Sequence, residues 1–364
     1  MSRRSQPPPE PRAGRPTMAD IAQRAGVSVS TVSRALAGST LVAPEMRRRI
    51  ARIAGDEGYV VNQVARGLRL QRSRQILIIL PTIANPFFGE VVLGVEEEAQ
   101  SRGYGVLVGN TSGSAERAEA LGRNLHTGAV DGLILLMGRI PDSLSALAAK
   151  DRVVAISERV HDLDVPTVSI DNAGAAREAT AHLLGLGHRR IAHIAGRPGS
   201  NVAAQRIAGY RAALAAAGIA ACDGVVVDGD FSVASGEAAM ARLLDLPVRP
   251  TAVFCAGDEM AIGAINAAHA RGLRVPADLS VVGFDDIPFA AAFNPRLTTI
   301  HQPRREMGRA AAGLLIDHID DPQRPAPSRQ LPHRLVIRAS AAALDHSPAA
   351  RPLVAPDPAG GRGS

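Results

Sequence analysis

The chain is poor in aromatic residues and in cysteine. Only 3% of its 364 residues are aromatic and none is Trp, which disfavours a nucleic-acid surface built on aromatic stacking. Cys222 and Cys255 form no CxxC pattern. This argues against a disulfide scaffold and a cysteine-based zinc site, and it fits a reducing compartment. No apolar run approaches the roughly 18 residues of a membrane span. The N-terminal sequence MSRRSQPPPEPRAGRP lacks the apolar centre of a signal peptide, so we expect neither membrane insertion nor secretion.

Positive charge is concentrated near the N-terminus. Residues 1–73 hold 13 arginines and five acidic residues, a balance of +8, whereas the whole chain has a net charge of +6. The remaining residues therefore sum to −2. A basic head on a near-neutral body suggests a nucleic-acid module joined to a separate soluble domain. A basic disordered tail alone is the alternative.

Three short helices are predicted between residues 17 and 60. Thr17 can cap the first helix, with Asp20 placed as in a capping box, and Gly26 ends it. Ser28 opens the second helix, and Pro44 stands where a third would begin. Two helices joined by a tight Gly turn and followed by a third are typical of a helix-turn-helix domain.

The second of these helices has the chemistry of a DNA-recognition helix. Val29 and Ser30 lie in its first turn, where such a helix meets base edges, and Arg34 one turn later can bind guanine O6 and N7. Hydroxyls at the helix start can bind phosphate. The alternative is a Ser-rich helix cap with a solvated Arg. The candidate DNA-binding residues of the head are Thr17, Ser28, Val29, Ser30, Thr31, Ser33 and Arg34.

From residue 76 onward, short apolar runs alternate with helical stretches. This alternation predicts parallel sheets covered on both faces by helices. Eight strands are many for a single sheet, so we predict two doubly wound lobes with a split near Asp171. The predicted strands are 76–80, 106–108, 133–137, 153–156, 191–195, 225–227, 252–255 and 279–284.

The motifs, taken in order, resemble those of the LacI family (lactose repressor type) of bacterial transcription regulators. The family's head-piece is similar to TMADIAQRAGVSVSTVSRALAG (17–38), and its hinge is similar to EGYVVNQVARGLRLQRS (57–73). Core motifs include HLLGLGHRRIAHIAG and LSVVGFDDIPFAAAFNPRLTTIHQP. Four segments, ILIILPTIANPFF, GDFSVASG, LLDLP and PTAVFC, resemble the cytidine repressor branch of the family. The resemblance implies an all-α helix-turn-helix head-piece and two parallel-sheet lobes of periplasmic-binding-protein type.

The resemblance also divides the chain. We expect a disordered arm at 1–16, a DNA-binding domain at 17–60 and a hinge helix or linker at 61–73. The core N-terminal lobe should take 74–171 plus about 302–329, and the C-terminal lobe 172–301 plus about 330–340. A disordered tail should occupy 341–364.

In this family the hinge, at 62–70 here, becomes helical on the operator. The resemblance implies that Leu68 wedges into the central minor-groove step and bends the duplex. Asn62, Ala65 and Arg66 would lie along the groove. The alternative for Leu68 is a buried linker residue. Val61 stands where the family usually has Pro, and Ala37–Gly38 replaces the more frequent Asn.

Polar residues that follow the core strands suggest a small-molecule site. Ligands of open α/β sheets bind beyond the carboxyl ends of the strands, and carboxylates with one Arg and a Phe pair suit a hydroxyl-rich ring. By resemblance, Arg206 and Asp285 match effector-binding positions. Ser157 stands at a position that is often Asp in the family, and Gly257 at one that is Asn in some sugar-responsive members. Alternatives are a surface salt bridge for Arg206, a loop cap for Asp285 and a core role for one Phe. The candidate effector-binding residues are Asn85, Phe87, Phe88, Ser157, Glu158, Arg206, Asp258 and Asp285.

These features predict a repressor of a sugar or nucleoside utilisation operon. We expect a cytoplasmic, nucleoid-associated homodimer on a near-palindromic operator, controlled by a small neutral effector. A nucleoside or pentose is expected, with another sugar as the alternative. A sugar-binding protein without DNA function is disfavoured by the basic head, and an enzyme by the lack of GxSxG, HExxH and P-loop motifs. We expect no cofactor, metal or membrane partner, and we assign His182, His188 and His193 to the family's strand pattern.

Overall fold

The computed structural model describes residues 16–59, 72–138, 152–160, 164–220 and 225–344. The chain divides into two compact units, residues 1–73 and 74–364. The first unit contains the predicted three helices: α1 (Met18–Ala25), α2 (Val29–Leu36) and α3 (Pro44–Asp56). The expected hinge contacts of Asn62, Ala65, Arg66 and Leu68 lie outside the described residues, as do the N-terminal arm to residue 15 and the tail from residue 345.

The head-piece helices begin and end where their sequences predict. Thr17 accepts a hydrogen bond from the Asp20 amide, and Asp20 accepts one from the Thr17 amide, which completes the capping box. Gly26 ends α1 with φ +66°, a left-handed conformation that suits Gly. Ser28 caps α2 through the Thr31 amide at 3.1 Å. A small core that includes Ile21, Val32 and Ile50, each fully buried, holds the three helices together.

The first lobe of the core is built on a six-stranded parallel sheet. Its strand order is β11-β5-β4-β3-β1-β2. Its helices are α4 (Pro86–Ser101), α5 (Ala115–His126) and α11 (Arg304–Asp320), and α11 packs against α4. The strands are β1 (Gln75–Leu80), β2 (Gly105–Asn110), β3 (Gly132–Leu135), β4 (Val153–Ile156), β5 (Thr167–Ile170) and β11 (Arg329–Leu331).

The second lobe contains another six-stranded sheet, in the order β12-β10-β9-β8-β6-β7. Only its edge strand β12 runs antiparallel to its neighbour. The helices are α6 (Asn172–Gly185), α7 (Asn201–Ala216), α8 (Val233–Leu244), α9 (Asp258–Ala270) and α10 (Pro288–Ala292). The strands are β6 (Ile191–Ala195), β7 (Val225–Asp228), β8 (Ala252–Cys255), β9 (Ser280–Asp285), β10 (Thr298–His301) and β12 (Arg334–Val336).

Within the described residues, the chain passes between the two sheets three times. The crossings follow β5, follow β10 and lie between β11 and β12. The predicted pair of doubly wound lobes is confirmed. The first crossing lies near Asp171. The third crossing lies slightly later than the expected boundary near residue 329, because Gln330 and Leu331 still pair with β5.

Glycines allow helices α4 and α11 to pack closely against each other. A Cβ at Gly94 would lie 2.0 Å from the backbone oxygen of Arg305, and one at Gly308 would lie 2.2 Å from that of Val91. Neither position has room for a side chain. The helices therefore meet backbone to backbone, which fixes α11, and Arg304 at its start, relative to the first sheet.

No helix in the described ranges is long and apolar enough to cross a membrane.

Candidate DNA-binding face and effector cleft

The first turn of α2 presents the predicted base-reading residues to solvent. Val29 is 46% exposed although it is apolar, and Ser30 and Arg34 are exposed beside it. The Arg34 Nε donates to the Ser30 backbone oxygen at 3.3 Å, so the guanidinium lies back over the first turn. Val32 and Ala35, on the opposite side, are buried. The structure thus places one apolar, one hydroxyl and one guanidinium group together on an open helix face.

Two of the remaining candidate DNA-binding residues of the head cap its helices. The Thr17 and Ser28 side chains cap α1 and α2, and the Thr31 hydroxyl lies 2.8 Å from the Ser28 hydroxyl. Ser33 is half-buried on α2. Arg47 on α3 donates to the Gly38 backbone oxygen at 3.0 Å and closes the turn after α2. The predicted DNA-binding residues of the head do not include Arg47.

Arg206 is the central cation of the second lobe. It lies on α7 with 3% exposure. Its Nε donates to Asn172 Oδ1 at 3.0 Å, and its Nη1 donates to the backbone oxygen of Ala256 and lies 3.7 Å from Asp285 Oδ1. The alternative reading of Arg206 as a surface salt bridge is therefore wrong, because the guanidinium is buried and has several partners.

This guanidinium group packs against an aromatic column formed by Phe284, Phe254 and His193. The Arg206 Cζ lies 3.5 Å from the centroid of the Phe284 ring, a cation–π contact. Phe254 packs on Phe284, and His193 stacks on Phe254 at 4.7 Å between centroids. Burial lowers the pKa of Arg206 to about 10, against the charges of Asp285, Glu158 and Asp258. The side chain therefore remains charged at neutral pH and is held in one orientation.

Asp285 ends β9 beside Arg206. Its Oδ1 accepts a hydrogen bond from Gln302 Nε2 at 2.7 Å, and its φ of +109° is unusual for a residue with a side chain. Burial raises the pKa of Asp285 to about 6, although Arg206, Arg304 and Gln302 oppose that rise. A strained, buried carboxylate at a strand end is typical of a binding position.

Asp258 takes a structural role, in contrast to its predicted contact with effector. The side chain is fully buried. One oxygen accepts from the Ile287 amide at 2.8 Å and the other from the Thr299 hydroxyl at 2.6 Å. Burial, followed by the charge of Asp285, raises the pKa of Asp258 well above its ordinary value. The carboxyl group fixes the loop after β9 from within the second lobe, and both of its oxygens are bound by protein donors.

Ser157 and Glu158 follow β4 and face the second lobe. Ser157 has φ +68°, and its buried hydroxyl has no hydrogen-bond partner among the described residues. Glu158 accepts a hydrogen bond from the Ser200 hydroxyl, and Asn201 Nδ2 donates to the Arg159 backbone oxygen at 3.0 Å. Both contacts join the first lobe to the start of α7.

The segment after β1 contributes one aromatic face. Asn85 caps α4 through the Phe87 amide at 2.8 Å. Phe87 is 7% exposed and belongs to the main core, whereas Phe88 is half-buried and meets Phe87 edge-to-face at 5.3 Å. Phe87 therefore has the core role that the sequence allowed for one of the two Phe residues. Phe88 is the ring of the two that remains partly exposed.

Four residues near Arg206 and Asp285 were not predicted from the sequence as site residues. Asn172 and Gln302 bind Arg206 and Asp285 directly. Arg304 begins α11, and its Nη2 donates to the Asp286 backbone oxygen at 2.6 Å. Its buried Nη1 has no partner among the described residues. Phe231 has φ +72°, and its ring would be 2.0 Å from a Cβ at Gly196 and 3.4 Å from one at Gly257. Phe231 follows the predicted strand at 225–227, whereas Asn172, Gln302 and Arg304 follow β5 and β10, which the sequence did not predict.

Two of the three histidines, His188 and His193, have partners within the second lobe. His188 bonds to Thr251, Ser280 and the backbone oxygen of Ala342. His193 is fully buried in the aromatic column. Among the residues that the structure describes, no three His, Cys, Asp or Glu side chains come together as a metal site. Cys255 is free and buried, and Cys222 lies outside the described residues.

Known proteins resemble the chain in both units. A family model for "Bacterial regulatory proteins, lacI family" matches residues 17–62, and one for a "Periplasmic binding protein-like domain" matches residues 180–341. The HTH-type transcriptional repressor CytR of Escherichia coli (strain K12) is 40% identical over 330 residues, which cover 90% of this chain and 97% of that protein.

Two solved structures are similar to this chain over most of its length. A complex of the transcriptional regulator CelR with cellobiose has a TM-score of 0.69 and 36% identity, and the match covers 90% of this chain and 100% of that chain. The lac repressor dimer bound to operator and the anti-inducer ONPF has a TM-score of 0.79 and 30% identity, with 91% and 100% covered. The similarity therefore extends over the head-piece as well as the core.

Proposed function

This chain belongs to the LacI family of bacterial regulatory proteins, and we propose that it is a repressor whose operator affinity is set by a small neutral effector between the core lobes. The family consists of DNA-binding transcription regulators. The observation that carries the proposal is the pairing of an open recognition face at Val29, Ser30 and Arg34 with a buried Arg206–Asp285 site in the core.

The DNA partner is a near-palindromic operator bound by a homodimer. A single three-helix head-piece reads one half-site, and two-fold symmetry in the protein requires two half-sites. Exposed apolar side chains in the first lobe support pairing through the core. Leu93 on α4 and Leu107 and Val108 on the edge strand β2 are 41–47% exposed, and α4 packs against β2. Such adjoining apolar surface is typical of a subunit interface.

We assign the operator contacts as the sequence predicts. Val29, Ser30 and Arg34 read base edges, the hydroxyls at the helix starts (Thr17, Ser28 and Thr31) contact phosphate, and Ser33 is a further DNA contact on the same helix as Arg34. Leu68 wedges into the minor groove, with Asn62, Ala65 and Arg66 beside it. The domain division follows the predicted boundaries, except that the third crossing lies after Leu331.

The charges in the cleft favour a neutral effector. Arg206 and Arg304 supply two guanidinium groups, and Asp285 and Glu158 supply two carboxylates. Asp286 is paired with Arg338 at 2.6 Å and with His301 at 2.9 Å. The cleft therefore has no surplus positive charge for a phosphate group. This charge balance includes Arg304, which the sequence did not predict, and leaves out Asp258, which is bound within the second lobe. The conclusion of no surplus positive charge is the same as the one drawn from the predicted residues.

The ligand class that fits is a nucleoside or pentose, with another sugar as the alternative. Carboxylate oxygens accept from hydroxyls, and the guanidinium groups donate to hydroxyl or carbonyl oxygens. Phe88 and Phe231 supply aromatic faces on the two lobes, as required to cover a flat base or the apolar side of a sugar. The buried hydroxyl of Ser157 adds a donor and acceptor from the first lobe.

A ligand held by both lobes can control the heads. Arg206, Asp285 and Phe231 belong to the second lobe, and Ser157 and Phe88 belong to the first. Binding across the two biases their relative angle, and a domain rotation of this kind can be transmitted along the chain. Whether effector weakens or strengthens operator binding depends on which angle it prefers.

Selection of duplexes from a random DNA pool by the full chain tests the proposal. We expect an enriched sequence with two inverted half-sites, together with a dimer in sedimentation. A thermal-shift screen with sugars and nucleosides should identify an effector, because a ligand selective for the folded state raises apparent stability. Enrichment of no DNA sequence, despite binding of a sugar, would favour a sugar-binding protein instead.

A further inference from the structure

Two residues that follow β4 contact the start of helix α7 in the opposite lobe. The Ser200 hydroxyl donates to Glu158 Oε1, and Asn201 Nδ2 donates to the Arg159 backbone oxygen at 3.0 Å. Ser200 is the N-cap of α7, and Asn201 is its first residue. The contact is made by side chains and not by the continuous chain, so it connects the lobes in addition to the crossings.

The electrostatics of this contact are favourable. The first turn of an α-helix carries backbone N–H groups without intrahelical partners and the positive end of the helix dipole, so a carboxylate is stabilised there. Ser200 Oγ accepts a hydrogen bond from the Ala203 amide at 3.3 Å while its hydroxyl donates to Glu158. The hydroxyl therefore links the helix end in one lobe to a carboxylate from the other.

The same helix carries the central residue of the effector cleft. Arg206 lies six residues after Ser200, less than two helical turns along α7. The negative charge of Glu158 acts on Arg206 across the cleft, opposing the burial that lowers the pKa of that guanidinium. Holding the start of α7 against the first lobe therefore also fixes where Arg206 faces that lobe.

We propose that Glu158, Ser200 and Asn201 form an inter-lobe latch that holds the core closed through the protein's own side chains. Glu158 is then a positioning residue, in place of its predicted role as an effector contact. Because the latch uses no ligand atom, it sets the balance of open and closed cores before effector binds. This holds whichever effector the cleft takes, and whichever lobe angle favours operator.

Distances between spin labels in the full chain without effector test the latch. Ala120→Cys on α5 and Ala238→Cys on α8 place one label on an exposed site of each lobe, after Cys222→Ser and Cys255→Ala remove the native thiols. Mixing with excess unlabelled chain leaves one labelled subunit per dimer. We expect one short distance in the otherwise unchanged chain. Glu158→Gln and Ser200→Ala should each raise the population with a longer distance about ten-fold, the effect of losing one hydrogen bond to a charged group.

The first lobe offers a matched control. Ser114 caps α5 and donates to Glu116 at 2.6 Å, a Ser–Glu cap pair within one lobe. Glu116→Gln should leave the inter-lobe distance unchanged, and Ser200→Thr, which keeps the hydroxyl, should retain the short distance. A long distance in the otherwise unchanged chain would overturn the latch. So would identical distances in Glu158→Gln, Ser200→Ala and the parent, which would leave Glu158 as a direct effector contact.

Discussion

Replacing Arg206 by methionine tests the effector cleft most sharply. The change keeps an unbranched side chain on α7 but removes the guanidinium. It leaves Asn172 Oδ1 and the Ala256 backbone oxygen without their donor. It also leaves Asp285 with Gln302 as its remaining hydrogen-bond donor among the described contacts.

Two magnitudes follow from these contacts. Removing one partner of a buried ion pair lowers the free energy of unfolding by about 3–5 kcal/mol. Losing a hydrogen bond from a charged group to the ligand costs about 1.5–3 kcal/mol of binding free energy, or roughly ten- to 150-fold in affinity. We therefore expect Arg206→Met to be folded but less stable, and to bind effector at least ten-fold more weakly.

Calorimetry with cytidine and with ribose, beside thermal unfolding, separates the two effects. Arg274→Met is the control, because Arg274 makes an exposed ion pair with Asp278 on the same lobe at 2.8 Å. This substitution should leave effector affinity unchanged. It should change the free energy of unfolding by no more than about 1 kcal/mol. If the ligand that binds the wild type binds Arg206→Met equally well, the cleft assignment is wrong.

Three further predictions concern the head, the hinge and the core. Arg34→Ala should lose about 1–3 kcal/mol on the selected operator and much less on random DNA; equal losses in a filter-binding assay would mean that Arg34 contacts phosphate only. Leu68→Ala should reduce operator bending in a gel assay and leave effector binding intact, and unchanged bending would remove the wedge. Burial lowers the pKa of His193 to about 4 from its usual 6.5, so its contribution to stability is complete above pH 6.5 and falls by about 3 kcal/mol as the pH drops to 4. Chemical denaturation should show that loss in the wild type relative to His193→Phe, and parallel pH profiles would contradict it.

Local signals in the sequence were sufficient for the head and the strand–helix alternation. Thr17, Gly26 and Ser28 are caps whose roles depend on neighbouring backbone, so their positions were predictable. The helices at 233–244 and near 201–217 also match the structure closely. Strand β5 was missed because Ser169 interrupts a short apolar run, and β10 because its TTIH sequence contains two polar residues that are buried only by packing.

The effector cleft was only partly predictable, because its residues come together through tertiary structure. Arg206 and Asp285 were identified through family resemblance, and the structure joins them at 3.7 Å. Asp258 follows a strand end as expected, but the buried Thr299 hydroxyl from β10 binds its carboxyl group. Arg304 could not be placed, since its position depends on where the chain crosses from β10 into α11.

Operator affinity measured with and without effector tests the central claim most directly. A fluorescent operator duplex is titrated with the full chain by anisotropy, alone and with saturating cytidine or whichever nucleoside or sugar calorimetry shows to bind. We predict a change in operator Kd of at least about five-fold, and an equal reciprocal change in effector Kd when operator is present. Asp285→Ala should bind operator and lose that change. Identical operator affinity with and without a ligand that calorimetry shows to be bound would contradict the account.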